Sequence, residues 1–229
     1  ERLRALMFET GNNGRSNLAR ISSIISNTFR RVFAGDVTYR LFMKIREIPT
    51  IVREIDTAMT DLKRVTSETG DAYDKVLNSA ITKSRQLGAT VTETIKATSS
   101  FGRLGYSLNE AATLAESALI YKNVGWLDIE TATNDLVSAM KAFNITAEDS
   151  LKIVDTFNIL GNKFALTSAD VGTGLKQSAS ALSVANNSFE ESAAMITAIT
   201  EITQDASSAG NALKTLSLRI RSTKAELTE

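Results

Sequence analysis

Helix-start signals recur at Ser107, Asp128, Thr146, Thr167 and Ser188, spaced 21, 18, 21 and 21 residues apart. A chain punctuated at that interval is built to stack short helices. Four of the five starts carry an acid three residues on: Ser107 with Glu110, Thr146 with Asp149, Thr167 with Asp170 and Ser188 with Glu191. In this arrangement the hydroxyl accepts from an unpaired N–H of the first turn while the acid reaches back to the cap. Asp is shorter than Glu, so the boxes at Thr146 and Thr167 are expected to be half made.

A single proline, Pro49, and twelve glycines in 229 residues fit helices joined by brief turns. With 43% hydrophobic residues the chain has the means to bury a core. The fold expected is all-α: an array of short antiparallel helices forming a multi-helix bundle, preceded by longer N-terminal helices. Cysteine and histidine are both absent. That removes thiol nucleophiles, disulfides, the usual zinc spacings and the imidazole base, so no catalytic, metal or cofactor site is expected. The most apolar stretch, Ala193 to Ile202, is broken by Thr197, Thr200 and Glu201, and no run is long enough to read as a membrane span. The first residue is Glu1, and Ser222-Thr223-Lys224-Ala225-Glu226 spells a capping box for a further helix. On those signs the chain is expected to be a fragment of a longer polypeptide.

Formal charge is zero but unevenly spread. Residues 1–53 carry ten Lys and Arg against four acids, and residues 54–229 carry sixteen against twenty-two. Residues 1–36 read as a basic helical arm, with a turn at Gly11-Asn12-Asn13-Gly14 and an apolar stripe of Leu18, Ile21, Ile25, Phe29 and Val32. Arg15, Arg20, Arg30 and Arg31 surround that stripe and are candidates for contact with an acidic partner. The arm lacks interleaved aromatics, so no specific nucleic acid is expected. A basic amphipathic helix also suits a membrane surface, which keeps a membrane-active module as the alternative reading.

Residues 37–103 read as a long-helix hairpin. Ile45, Ile48, Val52, Ile55, Met59 and Leu62 alternate spacings of three and four, which is a short heptad seam. Packing against a helix from Asp71 to Leu87 is its expected use, and self-association is the sharper alternative. Residues 104–229 read as a compact multi-helix core. Its stripes are Ile129, Ala132, Leu136, Met140 and Phe143, then Leu151, Val154, Phe157 and Leu160, then Val171, Leu175, Ala179 and Leu182, then Phe189, Ala193, Ile196 and Ile199.

Glu148-Asp149 and Glu190-Glu191 are acid pairs, but both fall in first helical turns, where acids offset the positive helix terminus. Gly172-Thr173-Gly174 and Gly11-Asn12-Asn13-Gly14-Arg15-Ser16 lack the strand context and Gly-Lys-Ser/Thr ending of a phosphate loop, and read as a packing notch and a turn. Trp126 precedes the helix that starts at Asp128. It, or Leu127, is expected to staple that helix, with a partner-contact anchor as the alternative.

The order of residues also carries a family pattern. Asn134-Asp135-Leu136-Val137-Ser138-Ala139-Met140-Lys141-Ala142-Phe143-Asn144, Asp155-Thr156-Phe157 with Asn162-Lys163-Phe164, Ser168-Ala169-Asp170-Val171, Ser188-Phe189-Glu190-Glu191, and Thr203-Gln204-Asp205 with Gly210-Asn211-Ala212-Leu213-Lys214-Thr215 follow one another in sequence. This series resembles the core domain of tail tape measure proteins of tailed bacteriophages and prophages of Gram-positive hosts, over roughly residues 55–229. The resemblance implies a non-enzymatic assembly protein in the tail tube lumen or tail tip, whose parent chain sets tail length and leaves ahead of the DNA. It also implies partners: the tail tube, distal tail and hub or tip proteins, tail assembly chaperones, and three or six copies of itself. Membrane contact by the parent chain and a tail-tip adaptor role remain alternatives. Assembly would pass through the host cytoplasm.

Overall fold

The computed structural model describes residues 37–226, with side chains over 49–222. The described residues are all helical, with no strand among them. They form α1 (Val37–Val65), α2 (Gly70–Leu87), α3 (Val91–Arg103), α4 (Leu108–Gly125), α5 (Ile129–Phe143), α6 (Ser150–Lys163), α7 (Ser168–Val184), α8 (Phe189–Thr203) and α9 (Ala206–Glu226). Two compact units are distinguished, Glu1–Arg53 and Glu54–Glu229. The described part of the first is the opening stretch of α1, which runs through Pro49. The basic arm over 1–36, with Arg15, Arg20, Arg30 and Arg31 and the Gly11–Gly14 turn, lies outside the described residues.

Local chemistry sets the helix boundaries of the second unit. Ser107, Thr167 and Ser188 each make a complete capping box, and Asp128 accepts from the Thr131 N–H at 2.8 Å. The box at Thr167 is therefore whole: the Asp170 carboxylate reaches both the Thr167 N–H and its hydroxyl at 2.7 Å. Thr146 does not start a helix. The chain there makes tight i to i+3 turns, and α6 begins at Ser150, whose buried hydroxyl sits 2.8 Å from that of Ser117 on α4. Nor does Ser222 open a new helix, because α9 continues through it to Glu226 and the Ser222 hydroxyl donates to the Arg219 carbonyl.

Two clusters of buried side chains form the core. The larger joins Phe101, Leu114, Tyr121, Leu136, Met140, Ile153, Val154, Phe157, Val171, Leu175, Leu182, Phe189, Ile196 and neighbours. The smaller joins Ala58, Met59, Leu62, Tyr73, Val76, Ala80, Ile95 and Leu108. On α6 the buried stripe is Ser150, Ile153, Val154 and Phe157, spaced three, one and three. Leu151, expected in that stripe, lies off it and is 41% exposed. Residues on either side of position 103 are tied together by ion pairs, Lys83 with Glu116 and Lys122 with Glu93.

Helix α7 is the centre of the bundle, packing against α4, α5, α6, α8 and α9. Its Gly172-Thr173-Gly174 is a packing notch, as the sequence predicts. A Cβ at Gly172 would run into the Tyr121 hydroxyl, and one at Gly174 into Ile196. At Gly210 on α9 a Cβ would strike the backbone oxygen of Gly174, so the two helix backbones are in direct contact. Backbone cannot swing aside as a side-chain tip can. Gly210→Ala is therefore expected to push α9 from α7 and cost about 1–3 kcal/mol, read as a lower urea midpoint with helix content kept. An unchanged midpoint would show that α9 can shift freely.

Candidate functional site

The chain leaves α4 through Trp126, which takes the left-handed conformation at φ 54° and donates its N–H to the Lys122 carbonyl. That conformation is uncommon for a bulky residue. It leaves the indole 95% exposed, while Leu127 turns in against the larger core. Stapling therefore falls to Leu127, and Trp126 stands clear of its own domain.

The six seam residues on α1 divide. Met59 and Leu62 are buried in the smaller core and Ile55 packs half-buried against it, so this half of the seam is used within the chain. Val52 is 47% exposed. Ile45 and Ile48 lie on the same helix, with side chains outside the described range.

A buried polar group lies where α4, α5 and α7 meet. Asp135 is 2% exposed. The Tyr121 hydroxyl is 3.4 Å from its Oδ2 and 3.2 Å from the Ser168 carbonyl, and the Lys176 ammonium is 3.6 Å from its Oδ1. Oδ1 is beyond hydrogen-bond reach of every described group. Burial dominates, holding the Asp135 carboxyl at about 6, with Lys176 and then Tyr121 opposing it. Burial, together with the Asp135 charge, also pushes the Tyr121 hydroxyl upward. Strongly shifted groups mark functional sites or structural networks; this one is walled in by core side chains. Sequence reasoning passed over it, although its signal is present: Asp135 stands on the apolar stripe, three residues after Ala132 and four before Ala139.

Glu190-Glu191 lie in the first turn of α8 as expected, whereas Glu148-Asp149 precede α6, whose first turn holds no acid and whose N-cap Asp149 makes no side-chain capping bond. Glu191 accepts from the Ser188 N–H at 2.8 Å, and Asp149 pairs with Lys152 at 2.7 Å. Among the described residues, no group of three or more acids converges as a metal site would require, and no helix is long and apolar enough to cross a membrane.

Residues 81–229, from within α2 to the last residue, match the phage-related minor tail protein family. The chain belongs to that family. Membership makes this minor tail protein a structural component of a phage tail, located in the virion tail among other tail components. The match takes in α3 to α9 whole, and with them both Trp126 and the Asp135 network. No solved structure matches the chain.

Proposed function

We propose that this minor tail protein is the core module of a tape measure protein, acting by shape and association and without catalysis. The observation that carries this reading is the ordered series of residue blocks from Asn134 to Thr215, all of it inside the matched region. The helices of the matched region, α3 to α9, are 13 to 21 residues long and fold against one another, so they cannot themselves serve as an extended ruler. The ruler belongs to a longer helical region of the parent polypeptide, around which tail subunits polymerise until its length is covered. The module sits at one end of the tail lumen, at the tip, with Trp126 as an anchor for a hub or distal tail protein and the basic arm against an acidic wall. Three or six copies run side by side, chaperones hold them during assembly in the host cytoplasm, and the chain leaves ahead of the genome.

An in-frame deletion of 100 residues from the parent's long helical region tests this. At ~1.5 Å per residue, the tail is expected to shorten by about 150 Å in electron micrographs. Tails of unchanged length would overturn the reading.

A further inference from the structure

One face of α7 meets the buried Asp135 with three groups spaced four residues apart: the Ser168 carbonyl, the bare backbone of Gly172 and the Lys176 ammonium. A Cβ on Gly172 would overlap both the Tyr121 hydroxyl and Oδ2 of Asp135, so the glycine opens the space in which those two groups lie. The Tyr121 hydroxyl stands there between two acceptors, 3.2 Å from the Ser168 carbonyl on α7 and 3.4 Å from Asp135 Oδ2 on α5. It has one proton to give, and its oxygen also accepts. Which way that proton points depends on the state of Asp135. An ionised carboxylate only accepts, and a charge-assisted bond is roughly twice as strong as a neutral one. A protonated carboxyl can donate to the phenol oxygen, which frees the phenol proton for the Ser168 carbonyl.

We infer that Asp135 and Tyr121 form a proton-controlled selector, which fastens α4 to α7 when the carboxyl is neutral and to α5 when it is ionised. In the neutral form a relay runs from the Asp135 carboxyl through the Tyr121 oxygen to the Ser168 carbonyl. In the ionised form Tyr121 turns to Oδ2, and the Ser168 carbonyl is left with the helical N–H four residues on. Lys176, with a side chain 42% exposed, is then drawn from water toward Oδ1. Charged groups of both signs bear on the pair. Lys176 favours the ionised carboxyl, Asp128 at the start of α5 opposes it, and Asp170 on α7 acts on Tyr121. None of the groups acting on Asp135 comes from α3 or α6, which also pack on α5. Burial outweighs Lys176 and places the change near pH 6. The selector belongs to the fold and stands apart from the length-setting proposal.

The test is a pH titration of the isotope-labelled 229-residue chain from about 4.5 to about 7.5, followed by carbon NMR. In the wild type the Asp135 carboxyl carbon is expected to titrate with a midpoint of about 6. The Ser168 carbonyl carbon is expected to move upfield at the same midpoint, as its side-chain donor leaves. The Tyr121 ring carbon that bears the hydroxyl should follow both, a reading that needs no variant. Tyr121→Phe removes the hydroxyl and keeps the ring that packs on Phe157. There Asp135 should still titrate while the Ser168 carbonyl stays still, which separates the relay from the bare field of the carboxylate. Asp135→Asn should leave Ser168 and Tyr121 unmoved over the whole range. A carboxyl that does not titrate in this range, a Ser168 carbonyl or Tyr121 ring carbon that ignores it, or a Ser168 carbonyl that moves equally in Tyr121→Phe overturns the inference.

Discussion

Phe157→Ala is expected to destabilise the second unit by about 4 kcal/mol, the cost of emptying a large buried aromatic site. Phe157 is fully buried on α6, with its ring centroid 5.3 Å from Tyr121 and 6.0 Å from Phe189, which in turn lies 5.8 Å from Phe143. It is the middle of an aromatic row joining α4, α6, α8 and α5. Truncation removes packing on both sides, and Tyr121 cannot fall into the space without giving up the Ser168 carbonyl. Against a typical domain stability of about 5–15 kcal/mol, that loss takes a large share. Urea titration followed by far-UV circular dichroism gives the value, and Phe157→Leu, which keeps most of the volume, should cost markedly less. A loss below about 1.5 kcal/mol would mean that the neighbouring helices collapse into the cavity.

Asp135→Asn is expected to act in the opposite direction at neutral pH. The carboxyl is held at about 6 in the folded protein, above its ordinary value of 3.8. Between those values the folded state binds a proton that the unfolded chain releases. This group's contribution is therefore most favourable below about pH 4 and is lost as pH rises through 6. Two pKa units correspond to about 3 kcal/mol. Asparagine keeps an acceptor for Tyr121 and carries no charge, and Lys176, whose side chain is 42% exposed, can turn to water. The variant should exceed the wild type by up to about 3 kcal/mol at pH 7.5, with the difference vanishing near pH 4. A variant that is less stable at pH 7.5 would show that the Lys176 pairing outweighs the cost of burying the charge.

What was legible in the sequence was local. The caps at Ser107, Asp128, Thr167 and Ser188 involve residues three apart, so the chain spells them out within one turn, and the stripes on α5, α7 and α8 follow from helical period. What escaped depends on residues far apart. The α6 helix starts where the Ser150 hydroxyl meets that of Ser117, 33 positions away, and its buried stripe takes Ile153 in place of Leu151. The heptad spacing on α1 told where a seam lies but not how much of it the chain keeps for itself, because Met59 and Leu62 are claimed by Tyr73, Val76 and Ile95. Trp126 looked inward from its neighbours in sequence and points outward because of one backbone angle. Residues 214–226 contain no breaker, which explains why an apparent capping box at Ser222 stays inside α9.

The contact between Gly174 and Gly210 leaves α7 little freedom to change length. One residue inserted near its middle would rotate everything after it by about 100°, carrying Ala179 and Leu182 off the core and spoiling the fit to five neighbouring helices at once. The turns at 104–107, 126–128 and 186–188 face no such demand. Length variation among descendants of this fold is therefore expected to collect in the turns, with α7 holding its residue count while its neighbours drift.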